Sequence, residues 1–201
     1  MNMNEFIPII DNPDQEPELN KPSAPVNRMM FEFVELFTLC FITVVMLFTF
    51  IVRLVMVHGP SMQYTLIDKD RLVITNLFYT PEYGDIVVVQ VPNAEKQPPI
   101  IKRVIATEGQ VIDIDFDTWQ VTVDGQIIDE PYINKVDGPM LNLGAYNYPH
   151  TVSAGKMFVM GDNRNESLDS RSPQINEIDY RNVIGRVLFR LFPIEKFGAV
   201  D

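Results

Sequence analysis

The sequence predicts a mainly β protein carried on a single N-terminal transmembrane helix. Three observations lead there. Leu36–Val52 is an uncharged run of 17 residues with apolar side chains around its whole circumference. After it come short segments rich in Val, Ile, Phe and Tyr, separated by Gly, Pro, Asn and Asp. Two of these segments flank Asp124-Gly125, a dipeptide that favours the type I′ turn of a β-hairpin.

Residues 1–27 carry five acids and one lysine among prolines and asparagines. They hold too few apolar groups to offset their ordering entropy, so a disordered acidic tail is predicted. Phe6-Ile7-Pro8-Ile9-Ile10 is its one apolar patch. Residues 28–57 read as the anchor with its flanks. As a helix the uncharged run is about 26 Å long, near the lower limit for crossing hydrocarbon. Glu32, Glu35 and Arg53 stand at its ends, where charge reaches the interface. A cleavable signal peptide fits less well, because the preceding tail is acidic and no small-x-small site follows. The basic residues Lys21 and Arg28 before the run, and Arg53, Lys69 and Arg71 after it, do not decide its orientation.

Residues 58–201 carry 13 basic and 20 acidic residues. Strands are predicted at Arg71–Leu77, Ile86–Val91, Ile100–Thr107, Val111–Phe116, Trp119–Val123, Gln126–Ile128, Lys156–Met160 and Val183–Phe192. The last is long enough for a helix, but its β-branched and aromatic content favours a strand. Residues 129–155, with Gly, Pro and Asn throughout, read as an irregular insertion. The net charge of −11 argues against nucleic acid as a partner, since phosphate binding needs clustered Lys and Arg. The single cysteine, Cys40, lies in the apolar run and excludes an intramolecular disulfide. His58 and His150 are the only histidines and do not form ligand spacing, so no metal or other cofactor is expected.

Three blocks carry chemistry. His58-Gly59-Pro60-Ser61-Met62-Gln63-Tyr64-Thr65-Leu66 places a serine after a Gly-Pro turn, close to the apolar run. A serine hydroxyl is a weak nucleophile until a base takes its proton. Ile100-Ile101-Lys102-Arg103-Val104-Ile105 places a lysine in a strand, sharing one face with Ile100, Val104 and Ala106. That apolar face lowers a lysine pKa from its ordinary value of about 10.4 toward neutrality. Gly161-Asp162-Asn163-Arg164-Asn165-Glu166-Ser167-Leu168-Asp169-Ser170-Arg171 follows a strand and reads as a polar loop. A glycine at that junction lets backbones approach closely.

Together the blocks resemble the type I signal peptidases, membrane-bound Ser-Lys enzymes that cut signal peptides from exported proteins. The resemblance spans roughly residues 36–196 and is weak in 129–155. It implies a signal-peptidase-like all-β catalytic domain, with Ser61 as nucleophile and Lys102 as general base. It also implies that Ser167 hydrogen-bonds and orients Lys102, and that Asp162, Asp169 and Arg171 hold the site in shape. An acid beside a neutral lysine raises its pKa, so these carboxylates are expected to face Arg164 or Arg171. Some members carry a serine where this chain has Gly59, so the oxyanion is expected to rely on backbone N–H groups, first that of Ser61. Tyr64 stands where the family usually has proline, and Thr107-Glu108-Gly109-Gln110 where it often has a Pro-Gly-Asp turn. Gly84-Asp85-Ile86-Val87-Val88-Val89 matches a further block and reads as a buried strand.

The resemblance further implies substrates with small residues one and three positions before the scissile bond. Met62, Leu66, Ile100 and Ile101 are the candidates for the pocket wall. Implied partners are signal-peptide-bearing preproteins, the lipid bilayer and, by proximity, the export machinery. The implied location is the plasma membrane, single-pass, with a cytoplasmic tail and an extracytoplasmic catalytic domain. Two alternatives remain at this point: a Ser-His enzyme using His58 or His150, and a non-catalytic membrane-tethered β domain for binding or assembly.

Overall fold

A computed structural model of the chain describes residues 25–50, 53–92 and 98–200. Most of the predicted acidic tail, with its Phe6–Ile10 patch, lies outside the described residues. Helix α1 runs from Pro25 to Phe50. Proline suits a first helical position, where its missing N–H has no intrahelical partner. Within α1, Arg28–Thr49 is 22 residues long and apolar enough to span a bilayer. Two of its three threonines, Thr38 and Thr43, spend their hydroxyls internally. Thr38 Oγ1 donates to Val34 O at 2.7 Å and Thr43 Oγ1 to Leu39 O at 2.8 Å. A hydrocarbon environment demands that kind of self-satisfaction.

The remainder is β. In chain order the strands are β1 (Arg53–Met56), β2 (Arg71–Thr75), β3 (Ile86–Val89), β4 (Ile100–Thr107), β5 (Val111–Asp115) and β6 (Gln120–Val123). They continue as β7 (Gln126–Ile127), β8 (His150–Thr151), β9 (Lys156–Met160), β10 (Ile178–Asp179) and β11 (Val183–Phe192). A seven-stranded sheet has the order β1-β2-β11-β3-β4-β9-β10, and a four-stranded sheet the order β7-β6-β5-β8. Among the described residues every pairing of these strands is antiparallel.

Burial explains the arrangement. β5 alternates exposed and buried residues, turning Ile112 and Ile114 inward with period two. They join Val121, Val123, Trp119 and Phe158 in one core cluster. Strands β3 and β4 lie between other strands and are buried almost throughout, so they read as continuous aliphatic runs. Their two faces feed two further clusters. Ile86, Val88 and Ile101 join Leu72 and Ile74 in one, and Val87, Val89 and Val104 join Met157 and Val159 in the other. At the β6–β7 hairpin, Asp124 and Gly125 have φ of 53° and 77°, the paired positive values a type I′ turn needs.

β4, β9 and β11 have the predicted bounds, and β11 is a strand. Several other ends differ. Arg53–Met56, grouped with the anchor on hydropathy, is a strand paired with β2 from Arg53↔Ile74 to Met56↔Arg71. Apolar character cannot separate the end of a membrane helix from a four-residue strand that follows it. β2 stops at Thr75 rather than Leu77, because the Asn76 side chain turns to donate to Val183 O at 3.2 Å. Trp119 lies outside β6 at φ 64°, its indole N–H donating to Gly138 O at 2.7 Å. The two-residue strands β8 and β10 were not predicted, being too short to show a period.

Phe158 is fully buried between the rings of Tyr146 and Tyr148. Phe158→Ala is expected to destabilise the fold by about 3–5 kcal/mol. The check is a lower urea midpoint with an unchanged slope.

Candidate active site

β4 carries Lys102 opposite Val87 of β3, and β9 joins the other edge of β4 from Arg103 onward. Lys102 is 2 % exposed. Its Nζ lies 2.8 Å from Ser61 Oγ and donates to Ile101 O at 2.9 Å. Burial lowers the Lys102 pKa from 10.5 to about 8, although Asp169 and Asp162 pull it upward; Arg171 adds to the lowering. The amine is thus a large fraction neutral near pH 8.

Ser61 sits in a turn built by its neighbours. Gly59 takes φ of 83°, a left-handed conformation that suits glycine. Its N–H donates to Asp68 Oδ1 at 3.1 Å, and Gln63 N–H donates to Pro60 O at 3.0 Å. The turn is then pinned from outside. Asn163 N–H donates to Ser61 O and Asn163 Nδ2 to Pro60 O, both at 3.1 Å. Thr65 Oγ1 donates to Asp162 Oδ2 at 2.6 Å, and Arg190 donates to Thr65 O.

Gly161 makes that docking possible. A Cβ built there would stand 2.5 Å from Ser61 O and 2.2 Å from Ser167 Oγ. Both contacts are far inside van der Waals range, so any side chain at 161 displaces the serine turn or Ser167.

Asp162, Arg164, Asp169 and Arg171 of the third block are buried and paired, while Glu166 is exposed. Arg171 Nε and Nη2 donate to Asp169 at 2.8 Å each, and Gly161 N–H donates to Asp169 Oδ2 at 3.0 Å. Burial pushes the Asp169 carboxyl upward, but Arg171 outweighs it and holds the group below its ordinary value. Asp162 faces neither Arg164 nor Arg171. It accepts from Arg103 Nε at 3.0 Å and Nη2 at 2.8 Å. Arg164 instead pairs with Glu130. The partners differ from expectation because β9 is hydrogen-bonded to β4, with Met160 opposite Arg103, which brings Arg103 to Asp162.

Ser167 also differs from its expected role. Its hydroxyl is buried, makes no well-formed hydrogen bond, and lies toward Asp169. The bond to Lys102 is not formed. Met62, Leu66 and Ile101 pack into one core cluster, while Ile100 packs against another. Being on one strand's alternate faces, Ile100 and Ile101 diverge, and the four do not line one open pocket. Gly59 offers no side chain toward an oxyanion. Neither histidine hydrogen-bonds Ser61: His58 is exposed, and His150 Nε2 lies 2.7 Å from Glu177 Oε1, its ring stacked on Tyr146. Among the described residues no cluster of His, Cys, Asp and Glu is placed to hold a metal ion.

Sequence reasoning missed Thr65, Asn163 and Glu130, and assigned Arg103 no place in the site. All four are polar or charged residues that the fold draws into the site. Thr65 lies inside the serine block and Asn163 inside the polar loop, so these two were the findable ones.

A family model described as signal peptidase, peptidase S26, matches residues 30–192. A probable signal peptidase I-1 from a Synechocystis strain is 34% identical over 190 residues, covering 90% of this chain and 92% of the relative. Signal peptidase I of Bacillus licheniformis is 30% identical over 194 residues, covering 93% and 99%. A crystal structure of a signal peptidase I from Enterococcus faecalis aligns with 25% identity and a TM-score of 0.44, covering 54% of this chain and 97% of that one.

The lowered pKa of Lys102 has a stability consequence. Between about pH 8 and 10.5 the unfolded chain binds the proton that the folded protein has released, so stability rises with pH across that window. Below it the folded protein bears a buried ammonium. Lys102→Met is therefore expected to raise stability at pH 7 by up to about 3 kcal/mol, and by much less at pH 10. Melting curves of the folded variant at the two pH values test this.

Proposed function

The chain belongs to the signal peptidase family, peptidase S26, and from that premise we propose that it is a membrane-anchored Ser-Lys endopeptidase that removes signal peptides from exported preproteins. The observation that carries the reading is the 2.8 Å approach of a buried lysine amine to Ser61 Oγ. Neutral Lys102 takes the Ser61 proton as Oγ attacks the carbonyl at the cleavage site. The Ser61 N–H is the first donor for the resulting oxyanion. The Lys102 ammonium then protonates the departing amine, the new amino terminus of the mature protein. Water, deprotonated by Lys102, hydrolyses the acyl-enzyme and frees the signal peptide. Asp162, Asp169 and Arg171 act at one remove, by holding the turn and the loop that meet at Ser61.

Backbone pairing supports a binding mode. Ile100 and Ile101 pair with β3 on one edge, while β9 joins the other edge only from Arg103. An extended peptide can add there as a strand, next to Lys102. Met62 and Ile101, the chain neighbours of Ser61 and Lys102, pack with Leu66 in one filled core cluster, which leaves room for small side chains only and is consistent with small residues one and three positions before the cut.

The same reading places the tail in the cytoplasm and the β domain outside the plasma membrane. Cross-strand register puts Leu54, Val73 and Phe189 on one sheet face, and Met56, Arg71 and Phe192 in the next row. Leu54 and Phe192 are 62% and 47% exposed, and β1 begins three residues after α1 ends. That apolar face fits the interface of a bilayer.

Cleavage of a precursor whose signal ends in Ala-x-Ala, by the full chain in detergent, tests the proposal. Ser61→Ala and Lys102→Ala are expected to abolish it, while His58→Ala and His150→Ala retain it. Activity should rise with pH to a plateau above about pH 8, as Lys102 loses its proton. Survival of cleavage in Lys102→Ala would sink the Ser-Lys assignment. Gly161→Ala, which pushes on Ser61 O, is expected to cost roughly 100-fold in rate with the fold retained.

A further inference from the structure

The segment Glu130–Asn134 opens the irregular stretch 129–155, and the mechanism above makes no use of it. Its contacts nonetheless converge on the surroundings of the lysine. The Tyr132 ring covers Arg103, with the guanidinium carbon 3.9 Å from the ring centroid. Tyr132 OH donates to Glu130 Oε1 at 3.0 Å. Glu130 Oε2 accepts from Arg164 Nη1 at 3.0 Å, and Arg164 Nε donates to Gly161 O at 3.1 Å. Asn134 N–H donates to Asp162 O at 3.1 Å. The segment therefore grips Gly161, Asp162 and Arg164 while covering the partner of Asp162.

That partner matters to the base. Three charged groups act on Lys102: Asp169 and Arg171, which neutralise one another, and Asp162, which relies on Arg103. Asp162 also accepts from Thr65 Oγ1, but a hydroxyl removes no charge. A cleft of about 650 Å³ opens beside Arg103, and two further acids, Asp85 and Asp129, line it. Arg186 already pairs with Asp85 at 2.9 Å. Without a cover, the Arg103 guanidinium would face the water of a cleft that also carries those two carboxylates. Tyr132 lines the same cleft and occupies that side. Burial keeps its phenol protonated, so the ring presents a neutral face to the cation.

We propose that Tyr132 and Glu130 are positioning residues for the general base: they hold Arg103 against Asp162, so that the Asp162 carboxylate stays neutralised beside Lys102. The proposal rests on the Ser-Lys reading. Tyr132 acts through Arg103 rather than on Ser61 Oγ or Lys102 Nζ directly.

The pH dependence of kcat/KM on the Ala-x-Ala precursor, measured with the full chain, tests it. In Tyr132→Leu the limb that rises with pH is expected to move up by about 0.5–1 unit. At pH 7 the rate then falls by a factor of about 3–10, and it converges on wild type well above the limb. Tyr132→Phe keeps the ring over Arg103 and is expected to restore the limb to near its wild-type position. Glu130→Gln, which removes the charge that pairs with Arg164 and sets an amide NH2 against its guanidinium, loosens the segment that carries Tyr132 and should move the limb in the same direction by less. It carries the test should Tyr132→Leu fail to fold. An equal loss at every pH, or an unmoved limb in both folded variants, overturns the proposal, since a purely structural role lowers the rate uniformly. Cleavage that persists in Lys102→Ala overturns instead the reading beneath it, whatever Tyr132 does.

Discussion

Lys102 is buried at 2 % exposure with two fully buried carboxylates, Asp162 and Asp169, close enough to raise its pKa. Burial alone drives the amine toward neutrality, and an unpaired acid nearby would reverse that. The site is stable only because each acid has an arginine of its own. Asp169 has Arg171 and Asp162 has Arg103, both in hydrogen-bonded pairs with N–O distances of 2.8–3.0 Å. Losing one member of such a buried pair typically costs about 3–5 kcal/mol, because the survivor is left charged in low dielectric. Here the same loss would also return Lys102 toward the protonated state.

Those pairs, in place of regular secondary structure, hold the polar loop after β9. Its backbone and side chains supply the bonds that position Ser61. Asn163 takes the carbonyls of Pro60 and Ser61, while Asp162 takes the Thr65 hydroxyl. Glycine at 161 is the steric condition for that contact, since the serine turn passes where a Cβ would be. Ser61 and Lys102 come from segments 41 residues apart, yet they meet because one loop bonds to the serine turn and salt-bridges to the strand that carries the lysine.

The irregular stretch beyond β7 completes the arrangement. It has no period of its own, and its order comes from contacts with the charged loop. Ala145 N–H donates to Arg171 O at 2.9 Å, Arg171 Nη1 donates to Leu141 O at 3.2 Å, and Glu130 neutralises Arg164. A segment that looks dispensable in sequence thus closes the outer side of a buried ion-pair network.

The sequence by itself determined the elements whose signal is local. The apolar run dictates a helix, since hydrocarbon satisfies no backbone groups. Ile100–Thr107, Lys156–Met160 and Val183–Phe192 fix their own bounds through dense β-branched and aromatic content. The positions of Ser61, Lys102 and the polar loop were legible in the same way, as short blocks of specific residue types. Tertiary structure alone decided how Asp162 and Arg164 pair, whereas Asp169 takes its near neighbour Arg171. Asp162 goes to Arg103 rather than to its neighbours in sequence, because a buried carboxylate bonds the cation that strand pairing brings near. It also decided that Ser167 lies toward Asp169, that Met62 and Leu66 fill a core, and that Tyr132 covers Arg103. Apart from the Ser167–Asp169 contact, these join segments distant in the chain, and no period or composition encodes which distant group a side chain will meet.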